Sequence, residues 1–164
     1  MQKKLKKSIF LVASSIILAS CSAVAPAPTK QKSLFVIWKS PSLKYADQGF
    51  LYVLPNKLKF EIYASGQPAL KLSIASSQIC TGPLCMSKES FNAKYLSKYY
   101  PKDTLESILM GKPIFGGKNL KQTSSGFTQH IKSANYDIKY KVTDNYIEFV
   151  DKISNVIIKI KNQG

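Results

Sequence analysis

The chain has 164 residues, with 24 strongly basic against nine acidic side chains, a formal charge of +15 and three cysteines. All of the strongly basic residues are lysine, which argues against a nucleic-acid reader, because bidentate recognition of bases and phosphates favours arginine. The lysines are scattered, which fits either a solvated lysine-rich surface or attraction to anionic headgroups, worth at most about 1 kcal/mol per lysine near such a surface.

The N-terminus has the layout of an export signal. Lys3, Lys4, Lys6 and Lys7 make a basic start, and residues 8–18 follow as an apolar run too short to span a bilayer. Small residues then precede Cys21 in Leu18-Ala19-Ser20-Cys21. That tetrapeptide resembles the lipobox of bacterial lipoproteins; the other reading is an ordinary signal with an incidental cysteine. The resemblance implies a cut after residue 20, a diacylglycerol on the Cys21 thiol, and palmitate-like acyl chains that make membrane lipid the first partner. Two or three chains on one residue anchor stably, whereas one chain binds only marginally. Ser22 in place of aspartate implies, by the same resemblance, the outer membrane, facing the periplasm. Residues 1–20 are thus read as signal, and 21–33 as lipidated cysteine and tether, stiffened by Pro26 and Pro28. The tether reaches about 40 Å at most. The domain occupies 34–164, enough for one modest core.

Period-two alternation dominates that domain. Residues 34–38 and 50–54 read as strands. Leu58, Phe60 and Ile62 alternate with lysine and glutamate, and Leu70, Leu72 and Ile74 with lysine and serine. The turns between strands fall at Pro55-Asn56 and Ser65-Gly66-Gln67-Pro68. Half-wet strands of this kind belong to antiparallel sheets. Cys80 and Cys85 flank Thr-Gly-Pro-Leu, which can turn the chain back, so an exported protein would join them in a local disulfide. Zinc is the alternative, but one histidine and no further cysteine pair leave too few ligands.

The middle of the chain changes period. Residues 87–97 pair Phe91 with Tyr95 behind a possible Ser87 cap, the pattern of a short helix. Residues 102–110 form a second helix, entered at Pro101, with Asp103 and Glu106 spaced like a capping box and Leu105, Ile108 and Leu109 on one face. Gly111 and Pro113 end it. Residues 116–126 read as a polar loop. Alternation then returns at 126–132, at Ile138, Tyr140 and Val142, at Ile147 and Phe149, and at 156–161. About four strands, two helices and about four strands suggest a mainly β, α+β fold: a strongly curved, half-open antiparallel barrel with a helical lid. Its concave side either holds an apolar ligand or is filled by its own side chains.

No catalytic motif is present: the chain lacks HExxH, GxSxG and a phosphate-binding loop. His130, the single histidine, alternates outward from Phe127 and Ile131, where a solvated strand-face residue is the plainer reading than a general base. Trp38 and the tyrosines fill the core or line its mouth. The expectation is a monomer without enzymatic activity, metal or cofactor.

YYPKDTLESILMGKPI (99–114) resembles the helix motif of LolB, the outer-membrane receptor for lipoproteins: a proline entry, a leucine, an apolar pair, then Gly-x-Pro. EIYASGQPALKLSI (61–74) resembles that family's strand-loop-strand, and YIEFVDKISNVIIKIKN (146–162) its closing hairpin. The likeness implies a LolA/LolB-like half-barrel that takes acyl chains of lipoproteins from a periplasmic carrier and passes them to the membrane. Leu58, Phe60, Ile62, Leu70, Leu72 and Ile74 would line the cavity, with Leu105, Ile108 and Leu109 covering it. The family carries an exposed apolar residue before the loop glycine for membrane insertion. Here Ser65 precedes Gly66, so that step would be lost or carried elsewhere. The alternative function is that of a structural or interaction lipoprotein of the same fold, with a filled core and no ligand.

Overall fold

Strands that alternate every second residue have one dry side each, and burying those sides together requires a common face. The computed structural model, which describes residues 27–164, meets this with one eleven-stranded antiparallel sheet. The expected signal segment and Cys21 lie outside the described residues. β1 (Lys30–Lys39), β2 (Lys44–Leu54), β3 (Lys57–Ala64), β4 (Gln67–Ile74), β5 (Gln78–Thr81) and β6 (Leu84–Ser87) lead into helices α1 (Lys88–Tyr95) and α2 (Thr104–Met110). β7 (Leu120–Thr123), β8 (Gly126–Lys132), β9 (Asp137–Thr143), β10 (Tyr146–Asp151) and β11 (Val156–Asn162) complete it. The order is β6-β5-β4-β3-β2-β1-β11-β10-β9-β8-β7. Each half is a meander of hairpins, and the first and last strands join the halves.

The register carries the apolar face across the seam. Leu72 stands opposite Phe60, Phe60 opposite Leu51, Trp38 opposite Ile158, Ile158 opposite Phe149, and Phe149 opposite Tyr140. All of these side chains are buried. Each contributes about 1.5–3 kcal/mol on leaving water. The outward residues between them, such as Lys59, Lys71, Lys139 and Lys161, are exposed.

β6 and β7 are the two free edges; the sheet does not close. It does curl. Flat, β4 and β9 would lie six strand steps apart, roughly 29 Å. Yet Met110 of α2 lines one groove with Leu58 and Ile74 of β3 and β4, and another with Val142 and Ile147 of β9 and β10. One side chain borders both walls because the sheet bends around it. Bare backbone permits the tight approach at two points. A Cβ on Gly49 would stand 2.6 Å from the Glu61 carbonyl oxygen, and one on Gly126 (φ +150) would stand 2.2 Å from that of Val142.

Several expectations change in detail. β1 begins at Lys30, inside the stretch read as tether. The polar loop 116–126 contains β7, whose burial pattern is exposed apart from Leu120; pairing with β8, not hydrophobicity, holds it. Two other four-residue strands, β5 and β6, were too short to alternate visibly. Ser87 does cap α1, its hydroxyl accepting from the Ser90 N–H at 3.1 Å. Asp103 does not cap α2 with its side chain. It and Glu106 instead hold Lys88.

Candidate functional site

The chain between the two free sheet edges, residues 88–119, runs over the concave face. α2 drops Leu105, Ile108 and Leu109 onto that face, where all three are buried. Leu58, Phe60, Ile62, Leu72 and Ile74 are buried in the same cluster, and Leu70 packs against it half-buried. All the residues predicted to line or cover an acyl cavity therefore meet in one place. They meet as a filled core: the rings of Trp38 and Phe60 lie 6.2 Å apart, and Tyr100, Phe149, Tyr140 and Phe127 continue as edge-to-face pairs at 5.7–6.2 Å.

Open space lies at the end of the sheet where β1 begins. Two grooves flank Met110 there. One of about 320 Å³ lies between α2 and Val53, Leu58 and Ile74. The other, about 200 Å³, lies against Val142, Ile147 and Ile160. Gly111 ends α2 in the left-handed conformation (φ 63°), close enough that a Cβ would touch Ile147 and Val142 at 3.4 Å. The helix end is thus a plug between the two walls.

Polar bonds fasten the plug. Gln129, at an inward position of β8, accepts from the Ile114 N–H at 2.9 Å and donates to the carbonyls of Ile114 at 3.0 Å and Lys118 at 2.7 Å. The Tyr140 hydroxyl donates to the Lys112 carbonyl at 3.1 Å. The Tyr100 hydroxyl donates to Asp151 Oδ2 at 2.6 Å, while the other carboxylate oxygen accepts from the N–H groups of Asp137 and Ile153. Burial, then the Asp151 carboxylate, pushes the Tyr100 hydroxyl well above its usual pKa; burial alone does the same to Tyr140. Lys88, 3 % exposed, ties the two helices by bonding Asp103 at 2.8 Å and Glu106 at 2.6 Å. Burial pulls its pKa down, but the two carboxylates outweigh that and the net direction is upward.

Two buried polar atoms have no protein partner among the described residues: the Trp38 indole N–H and Asn92 Oδ1. Trp38 is fully buried near the end of β1, the central strand of the sheet, with its ring against Phe60. An unmet buried donor of this kind costs about 1–3 kcal/mol.

Ser65 (φ 51°) and Gly66 (φ 76°) form the tight β3–β4 turn, both exposed and without an apolar side chain. The exposed apolar residue near that end is Leu84, 67 % exposed, on the neighbouring β5–β6 hairpin. Cys80 and Cys85 face each other directly across that hairpin and are joined by a disulfide. His130 is outward and half exposed, bonded to Asp137 at 2.8 Å. That hydrogen bond leads the effects that hold the Asp137 carboxyl below the usual range.

No family model matches the chain, and no curated protein matches it. Among the described residues no cluster of His, Cys, Asp and Glu could hold a metal ion, and no helix is long and apolar enough to cross a membrane.

The sequence reading missed Gln129 and Asp151, though a signal existed. Both stand at inward phases of alternating strands, after Phe127 and Phe149, where a polar residue needs a buried partner. Met110 and Lys88 had no such signal, because their roles depend on where the helices sit.

Proposed function

We propose that this chain is a lipid-anchored envelope protein with a LolA/LolB-like half-barrel, which receives acyl chains of lipoproteins beneath α2 and passes them toward the membrane. Cys21 carries the anchor, and the working location is the outer membrane, facing the periplasm. The observation that carries this reading is the plug. A short helix lies across the mouth of an open, one-sided apolar sheet, held by a few named hydrogen bonds, with a groove on either side of Met110. Acyl entry requires α2 to lift from Leu58 and Ile74, exchanging side-chain contacts for acyl contacts of similar apolar character.

Residues 22–164, which contain every described element, test the proposal. Incubated with an acylated lipopeptide and examined by native mass spectrometry, they are expected to hold one lipopeptide. Met110→Lys, which puts a charge between the grooves, is expected to weaken that binding at least tenfold with the fold intact. Absence of any bound lipopeptide would sink the carrier role. The packed aromatic interior favours the second reading in that event: an envelope lipoprotein that acts through its outer surface.

A further inference from the structure

Away from the mouth, on the outward face of the sheet's second half, β7–β10 enclose a groove of about 680 Å³. Lys121, Lys139 and Lys141 line it, with Thr128, His130 and Glu148. The register groups them: Lys121 is opposite Thr128, Thr128 is opposite Lys141, and His130 is opposite Lys139. Two strand steps, about 10 Å, separate Lys121 from Lys141.

These lysines differ from others on the same face. Lys159 is bonded to Glu148 at 2.7 Å, and Lys132 sits 3.7 Å from Asp137. Glu148, the one acid in the groove, is therefore already engaged, and Asp137 is engaged by His130 and Lys132. Among the described residues no carboxylate lies within ion-pair distance of Lys121, Lys139 or Lys141. Glu148 stands opposite Lys141 in the register but is bonded to Lys159, so three cations without an ion-pair partner around one concavity make a focused positive potential. Their methylene stems also give the groove apolar walls. A guest that suits both features has a compact negative charge next to an apolar body.

The geometry points to a binding site for the phosphate-bearing headgroups of anionic lipids in this groove. It is independent of whether the interior takes acyl chains. Lysine meets phosphate as a point charge, and the Thr128 hydroxyl between Lys121 and Lys141 adds a neutral donor.

The assay uses residues 22–164, without Cys21, so that no anchor can carry the binding. Sedimentation with vesicles of phosphatidylglycerol in phosphatidylcholine is compared with pure phosphatidylcholine. Binding is expected only to the anionic vesicles and is expected to collapse between about 0.05 and about 0.5 M salt. Replacing Lys121, Lys139 and Lys141 together by alanine should lower partitioning roughly a hundredfold, about fivefold per lysine. The matched replacement of Lys57, Lys59 and Lys71, outward on the first half, should lower it far less. Equal loss in both variants would mean diffuse surface charge and overturns the site. So does equal binding to pure phosphatidylcholine. Inorganic phosphate binding at Lys141 without vesicle binding overturns the lipid assignment. Should the triple variant misfold, the single Lys141→Glu change, read against Lys59→Glu, decides the same question.

Discussion

Asp151 shows how much one side chain can hold at the seam between lid and sheet. Its buried carboxylate accepts from the Tyr100 hydroxyl and from two backbone N–H groups. Asp151→Ala leaves those donors unmet and is expected to cost about 3 kcal/mol in urea unfolding, against about 1 kcal/mol for Tyr100→Phe. The tyrosines also predict a pH limit. Tyr100 and Tyr140 have folded-state pKa values raised above the unfolded value of about 10, so the folded chain holds their protons longer. Their contribution is fully present below about pH 10 and is lost as pH rises beyond it. Phenolate absorbance should show these two of the nine tyrosines titrating together with unfolding, after the exposed ones.

At the scale of elements, the disulfide and α2 make contrasting predictions. Cys80 and Cys85 are five residues apart. Closing so short a loop is worth only about 2 kcal/mol, so the double serine variant should stay folded with a lower urea midpoint. Ile108 of α2 is fully buried against the concave face. Ile108→Ala is expected to cost about 3 kcal/mol in the same assay. The long strands and both helices were legible in the sequence because Leu58-Phe60-Ile62 and Leu105-Ile108-Leu109 carry their own periods. β5, β6 and β7 were not. Four residues are too few to display a period, and these strands exist because a neighbour offers hydrogen bonds. The Asp103–Glu106 pair misled for a related reason. Its spacing fits a cap, yet a buried ammonium from α1 competes for both carboxylates and wins.

For the whole molecule, the open sheet and its lid were foreseeable from alternating halves around a helical middle, but whether the interior is hollow was not. Each inward residue could be known to face inward. Whether Tyr100 of the covering segment packs on Phe149 or leaves space above it depends on the degree of curl, which no local pattern encodes. The candidate mouth was hidden for the same reason, since Met110 becomes its centre only when walls six strands apart come together. The pairing of β1 with β11 has a kinetic side as well. The first strand cannot find its second neighbour until residues 156–162 are available, so it must wait with a raw edge while more than a hundred residues follow it. Such long-range closure makes for slow assembly. Removal of residues 156–162 should therefore part the two halves at the centre of the sheet, read as loss of the cooperative urea transition.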